Sequence, residues 1–313
     1  RLSAYENNGK RVFDIGHHGA IANPDFEAME PFSWGETPFS NGRFSTPGGK
    51  ARMQAAKQME IAPVLAQWPL TVNTGRYRDQ WHTMTRTGLS PRLSRHRQEP
   101  LAEIHPRDAA AYGLADGDLA RLITAQGESI YRVYLSDGQR RGEVFVPIHW
   151  TDQQSTGGRT GLLSRPAVDP FSGQPGFKST PARIEKLAIE WTGFLISSEN
   201  PARINAAYAT RVRVGGGWLI ELAGSGDVTG LVKDLLPKGE RVEVSDAARG
   251  QARVAILEEG RLKAALYISR SGNLPSREWL INQLETAEDA SPVALLGGRP
   301  AKPAVGRGPV IWV

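Results

Sequence analysis

The sequence predicts a mainly β protein, a small closed β-barrel followed by a small α+β module. Three observations carry this expectation. Between residues 119 and 150, the runs LARLIT, SIYRVYL and EVFVPIHW are rich in β-branched and aromatic residues, and AQGE and SDGQRRG separate them as turns. Just before them, EIHPRDAAAYGLADGD reads as one short helix. Pro106 suits its first turn, where the missing N–H costs nothing, Ala109 to Ala111 propagate it, and Gly113 can end it in a left-handed cap. A helix leading into strands at this density fits a closed barrel better than a parallel α/β sheet. Beyond residue 191, strand pairs alternate with amphipathic helical patterns, which is the α+β signature.

In chain order, residues 1–61 come first and are loop-rich. ENNGK, ANPDF and GETPFSNGRFSTPGGK are dense in Gly, Pro, Asn and Ser. So long an irregular stretch is uncommon in a compact domain unless it packs on other protein. With arginine rather than methionine at position 1, the chain reads as part of something longer. The barrel is expected over 62–190, with residues 150–185 as a long Gly/Pro/Ser-rich loop on its surface and RIEKLAIEW as the closing strand. The α+β module is expected over 191–290. RVRVGGGWLIELAG is two strands around a glycine turn, and QARVAILEEGRLKAALYIS is a hairpin turning at Glu259-Gly260. DVTGLVKDLL and SREWLINQLET are helices, the second with Ser276 as N-cap. Residues 291–313 read as a Pro/Gly-rich tail that ends abruptly.

Composition narrows the function classes. The 313 residues are 40% hydrophobic and 23% charged, which is globular and long enough for two domains. A net charge of +5 favours an anionic partner, but no run of five like charges marks a nucleic-acid tail. The absence of cysteine excludes disulfides, thiolate zinc sites, iron–sulfur clusters and cysteine nucleophiles within this chain, and fits a cytoplasmic protein. No apolar run approaches the roughly 18 residues of a membrane span.

Two phosphate motifs fail on inspection. GSGDVTG at 224–230 is one residue longer than a dinucleotide fingerprint and lacks a βαβ unit. GRFSTPGGKA at 42–51 has Phe44 where a P-loop needs glycine and Ala51 where it needs a hydroxyl. The adjacent His17 and His18 would diverge rather than share a metal, so no metal site is expected. No nucleophile–base–acid set is present, so no catalytic residue is assigned. His82 and His149 are the two histidines in suggestive loops.

The densest feature is TGRYRDQWHTMTRTG at 74–88. It carries three arginines, one histidine, four threonines and Trp81, against only Asp79 and Gln80 as acceptor-type side chains. Hydroxyls, loop N–H groups and arginine forks are what phosphate oxygens require, Trp81 offers a flat face, and Gly75 permits close backbone approach. From the residues alone, a clamp for an anionic cofactor, a solvated basic loop and a single-stranded RNA site all remain open.

The ordered series TGRYRDQWHTMTRTG, EIHPRDAAAYGLADGD, EVFVPIHW and DPFSGQPGFKSTPARIE resembles the C-terminal cofactor-binding domain of the molybdopterin oxidoreductases, and within them the assimilatory nitrate reductase catalytic subunits. Upstream, FEAMEPFSWG and FSNGRFSTPGGKARM resemble the stretch preceding that domain. The resemblance implies a double-psi β-barrel that helps hold a molybdenum bis(molybdopterin guanine dinucleotide). It implies cofactor contacts from Thr74, Gly75, Arg76, Trp81, His82, Thr83, Thr85, Arg86, His149, Thr156 and Lys178. Thr and Arg would meet phosphate or pterin edges, and His82 would donate near the pterin. Ile148 falls where relatives border the substrate funnel. Thr156 stands near a position that is asparagine in some relatives. Residues 1–61 would be a remnant of the upstream catalytic domain. The iron–sulfur clusters and the molybdenum ligand would lie in parts of the parent protein outside this chain, as would its route to an NADH- or ferredoxin-linked electron donor. A formate dehydrogenase-like fragment and a basic nucleic-acid-binding module are the alternatives.

Overall fold

The computed structural model describes residues 18, 20–32, 41–44, 46–53, 55, 65–170, 173–201, 204–286 and 291–300. The motif position His17, most of the tail (301–313) and much of the 1–61 segment lie outside these residues. The chain divides into two compact units, 1–60 and 61–313. In the first, a single turn of helix, α1 (Asn23–Glu27), carries Pro24 near its start and buries nothing.

The second unit contains the barrel. Its strands are β1 (Leu70–Gly75), β2 (Leu101–Ile104), β3 (Leu119–Thr124), β4 (Glu128–Leu135), β5 (Glu143–Pro147) and β6 (Thr180–Lys186). They close in the order β1-β5-β2-β4-β3-β6. The pairs β1/β5 and β2/β4 are parallel and the remaining four antiparallel, so the expected double-psi barrel is what the chain forms. Strand alternation fills it. Leu70, Val72, Ala102, Ile104, Leu122, Tyr131, Val133, Val144, Val146, Ala182 and Ile184 all point inward and form one buried cluster. Within it, Tyr131 finds a polar partner in Thr160 Oγ1 at 2.7 Å, which in turn donates to the Pro147 carbonyl at 2.6 Å.

Between β1 and β2 lies the short α2 (Pro91–Ser94). The expected helix after β2 is α3 (Pro106–Ala111), with Pro106 in its first turn and Gly113 at φ 65° beyond its end. His105 is its N-cap, accepting the Arg107 N–H at 3.1 Å. Asp108, in the first turn, accepts the Gly142 N–H at 2.6 Å and so ties this helix to the turn entering β5.

RIEKLAIEW, expected as one closing strand, is split. β6 ends at Lys186, and Trp191 opens a strand of a second sheet. That sheet contains β7 (Trp191–Ser197), β8 (Tyr208–Val214), β9 (Gly217–Gly224), β10 (Glu240–Asp246), β11 (Gln251–Glu258) and β12 (Arg261–Ser269), in the order β10-β11-β12-β7-β9-β8, all antiparallel. The β11–β12 turn runs through Glu259 and Gly260, both left-handed. GSGDVTG joins β9 to the helix α4 (Thr229–Leu235). Because β9 has antiparallel neighbours on both sides, no dinucleotide fold surrounds the motif. Helix α4 covers one face of the sheet through Leu231, Val232 and Leu235. The other face is covered by α5 (Arg277–Thr286), with Ser276 Oγ accepting the Glu278 N–H, and by α6 (Pro292–Gly297). Residues 291–300 therefore depart from the linker reading. Leu295 is 0% exposed and its carbonyl accepts the Tyr267 hydroxyl, an anchor that flanking Gly and Pro concealed. Among the described residues, no helix is long and apolar enough to cross a membrane.

Barrel and sheet meet through polar as well as apolar contacts. Arg132 on β4 grips Glu99 with both carboxylate oxygens at 2.9 Å, and the Tyr208 hydroxyl on β8 donates to the same carboxylate at 2.8 Å. Leu119, Tyr208 and Ala223 pack between them. Residues 154–156 extend the sheet beyond its edge strand, with Thr156 N–H donating to Ala209 O and Arg211 N–H to Gln154 O, both at 2.7 Å.

Candidate cofactor site

Parallel pairing of β1 with β5 places the C-terminal ends of both strands side by side, Gly75 opposite Pro147. Two loops therefore leave the barrel at one place, the donor-rich 76–90 segment and the 148–160 segment. The antiparallel partner β6 begins there too, with Thr180 opposite Val72. Three segments far apart in sequence thus converge at one barrel end.

His149 stitches the first two together. Its side chain is 0% exposed, its Nε2 accepts the Tyr77 N–H at 2.8 Å, and its Nδ1 lies 2.6 Å from the His82 carbonyl. An amide N–H can only donate and a carbonyl can only accept, so the ring is the neutral tautomer protonated on Nδ1. Burial lowers its pKa first, partly offset by the hydrogen bond to His82, and Arg76 lowers it further. Both ring nitrogens are thus engaged by the loop itself. His149 supports the site from behind, whereas His82 is exposed on it.

The loop is held in a strained shape. His82 at φ 44° and Met84 at φ 59° occupy the left-handed region, which non-glycine residues rarely adopt. Surrounding contacts over-determine this conformation. The His82 carbonyl is held by His149, the Thr83 carbonyl accepts the Gln154 carboxamide at 3.4 Å, and Met84 is buried with Tyr77 and Trp150. Gln154 is itself fixed by the Thr151 N–H at 3.0 Å and by the Thr151 hydroxyl. Thr87 donates to Gln80 Oε1 at 2.7 Å and closes the loop's far side. A third left-handed residue, Ser179 at φ 56°, adjoins Lys178 at the same barrel end.

With the loop so braced, the flagged side chains divide. Arg76, Trp81, His82, Thr83, Thr85, Arg86 and Lys178 are exposed. Arg76 lies 4.8 Å over the Trp81 ring, and the His82 ring meets that indole edge-on at 4.7 Å. Among the described residues none of Arg76, Arg86 and Lys178 has a carboxylate within ion-pair distance, whereas neighbouring Arg78 is neutralised by Asp79 at 2.7 Å. Thr74 is buried and donates to the Phe177 carbonyl at 3.0 Å, and Ser179 N–H donates to Asn73 Oδ1 at 3.2 Å. These two bonds hold Lys178 beside the loop. Ile148 is half-buried, its N–H donating to Gly75 O at 3.0 Å. Thr156 is exposed but fixed by its backbone to β8. Gly75 faces inward constraints as well, since a Cβ there would stand 2.5 Å from Phe145 Cε2.

Two open arginines, several hydroxyls and an exposed indole on a rigid left-handed loop, with Lys178 on the neighbouring segment, fit a phosphate-bearing, ring-containing ligand. Asn73, Tyr77, Phe145, Trp150 and Gln154, which sequence reasoning passed over, are the supports. Only the alternation in LTVNTG and EVFVP hinted at which of them face inward.

Comparison with known proteins gives the same outline. Residues 70–181 match the family model for the molydopterin dinucleotide binding domain. A nitrate reductase from Klebsiella oxytoca is 35% identical over 99% of this chain and 37% of its own length. The assimilatory nitrate reductase catalytic subunit of Bacillus subtilis is 34% identical over 45% of this chain and 20% of its own. An F420-dependent formate dehydrogenase subunit from Methanococcus maripaludis is 30% identical over 39% and 17% respectively. The chain thus spans well under half the length of these relatives.

Proposed function

Because this chain belongs to the molybdopterin oxidoreductase family, we propose that its barrel holds part of a molybdenum bis(molybdopterin guanine dinucleotide) as the C-terminal portion of a cytoplasmic nitrate reductase. When bound, that cofactor supplies the two-electron chemistry that converts nitrate to nitrite. The chain's own residues bind and orient. Arg76 and Arg86 hold pyrophosphate oxygens through paired N–H donors, and the Thr83 and Thr85 hydroxyls satisfy the remaining acceptors. Lys178, held beside the loop, would add a point charge, Trp81 would offer an apolar face to a ring, and His82 would donate near the pterin. His149 keeps the loop in register, and Ile148 lines the approach for substrate. No proton is moved by this chain. Electrons from an NADH- or ferredoxin-linked donor would arrive through iron–sulfur clusters carried elsewhere in the parent enzyme, so the chain alone binds but does not turn over.

The observation that carries this reading is that Arg76 and Arg86 on one strained loop, and Lys178 on a segment tied beside the strand from which that loop leaves, have no carboxylate within ion-pair distance among the described residues. The nitrate relative aligned over 99% of the chain favours nitrate over formate, whose relative aligns over 39%. The test is to purify the chain from a host that makes the guanine dinucleotide cofactor and to measure molybdenum and acid-released GMP. Near-stoichiometric GMP that falls severalfold in Arg76→Ala and Lys178→Ala is the expected result. A folded chain carrying neither GMP nor molybdenum would refute binding by this unit.

A further inference from the structure

We propose a second site, for an oxyanion, in a cavity of about 220 Å³ between the inner side of the 76–90 loop and strands β8 and β9. Its walls bring together Arg97, Arg211 and Arg213 with Trp150, and among the described residues no Asp or Glu lines it. All three arginines are half-buried, and among the described residues none has a carboxylate within ion-pair distance. Three cations around one small cavity with no counter-charge repel one another and are poorly solvated, so an anion between them is strongly favoured.

Each guanidinium is held by something other than a carboxylate. Arg97 lies 4.7 Å over the Tyr134 ring and Arg213 lies 5.0 Å over the Trp218 ring. Stacking fixes the plane of a guanidinium while leaving its in-plane N–H donors available. Arg211 donates one nitrogen to Asn200 Oδ1 at 2.9 Å and to the Pro201 carbonyl at 2.8 Å, which anchors one end of its fork. Burial also lowers the Arg211 pKa, as expected of a cation lacking an acidic partner.

The independent observation is Trp150. Its side chain is 2% exposed and its indole Nε1–H has no hydrogen-bond partner, although it lines the same cavity. Buried donors are rarely left unpaired. An oxyanion offers acceptor lone pairs to all four side chains at once. The cavity is large enough for a small oxyanion with a few waters. The same chemistry comes from a free inorganic ion or from a phosphate group whose remainder lies outside. Filling the site would brace the loop from behind through Thr85 and Gln80, which also line it. Binding there does not depend on the cofactor reading.

The experiment is calorimetric titration of the 313-residue chain, in a buffer free of oxyanions, with inorganic phosphate, sulfate and GMP. Saturable phosphate or sulfate binding is expected, with a component that depends on Arg97 and Arg213. That component should weaken about tenfold or more in Arg97→Gln and Arg213→Gln, weaken less in Arg213→Lys, and stay unchanged in Arg140→Gln, an exposed arginine that does not line the cavity. Trp150→Phe, which removes only the N–H, should weaken it severalfold. GMP binding no tighter than phosphate assigns the site to a free ion. Tighter GMP binding with the same arginine dependence assigns it to a nucleotide phosphate. Circular dichroism and melting establish that each variant is folded. No saturable binding, binding undiminished in folded Arg97→Gln and Arg213→Gln, or binding lost in Arg140→Gln instead, would overturn the proposal.

Discussion

Replacing His149 with alanine should unfasten the loop while leaving the barrel closed. The imidazole is the partner of the Tyr77 N–H and the His82 carbonyl. Tyr77 is buried, so its N–H would be left unsatisfied at a cost of about 1–3 kcal/mol, and the lost bond to His82 adds about 1 kcal/mol. The left-handed backbone at His82 would also lose the contact that holds it. A total near 3 kcal/mol in a unit of this size corresponds to a melting point lower by roughly 6–12 °C, or to selective opening of the loop. Thermal melting reads the first, and hydrogen exchange at Tyr77 reads the second. The ring also predicts a pH dependence. Its folded-state pKa lies below the unfolded value of about 6.5, so the unfolded chain takes up the proton first as pH falls. The contribution of His149 is therefore fully present above pH ~6.5 and is lost as pH drops from there through the lowered folded value. Wild type should show this loss and His149→Ala should lack it. A variant that melts with wild type, protects Tyr77 equally and keeps the same acid sensitivity would refute the staple.

Three further outcomes follow from single contacts. Gly75→Ala places a methyl 2.5 Å from Phe145 Cε2 and should lower the urea midpoint by an amount equal to about 1–3 kcal/mol, partly restored by Phe145→Leu. Tyr208→Phe removes one hydrogen bond to Glu99 but leaves the Arg132 pair intact, so thermal melting should show a loss of only about 1–2 kcal/mol, whereas Glu99→Ala should cost clearly more. Arg277→Met strips Glu221 of both 2.8 Å contacts, at about 3–5 kcal/mol near neutral pH. Burial and the charge of Glu99 already raise the Glu221 pKa, so its folded form holds a proton above the unfolded carboxylate range. Stability from such a group is present at low pH and lost as pH rises, and the Arg277→Met defect should therefore shrink on acidification. Urea titrations at pH 5 and 7.5 check the sign.

Much of the architecture was legible because strands and turns obey local rules. LARLIT, SIYRVYL and EVFVP alternate inward and outward, and the hairpin turns where Glu259 and Gly260 adopt positive φ. What was not legible depended on distant partners. RIEKLAIEW hides a change of sheet because the last residues of β6 pair with β3, whereas Trp191 pairs with Gly224 of β9. Helix α6 looked like tail because its short apolar run gains stability only from the sheet beneath it. No feature of TGRYRDQWHTMTRTG announces that its shape is kept by His149 and Gln154, some 70 positions away.

The same asymmetry explains which site residues sequence reading finds. A side chain that meets a ligand must stay exposed and unpaired, so it stands out as an excess of donors, and Arg76, Trp81, Thr85 and Arg86 were conspicuous for that reason. A side chain that fixes the loop must be buried and paired, so it blends with ordinary core. His149 belongs chemically to the first group and structurally to the second. Only its two backbone partners reveal this, one donating to it and one accepting from it, and they require opposite states of its nitrogens. If the barrel holds a cofactor, the geometry of the exposed donors is thus set by groups that never touch it. Loss of affinity on mutating Tyr77, Trp150 or Gln154 would then mark loosened positioning, with the chemistry of the contacts themselves unchanged.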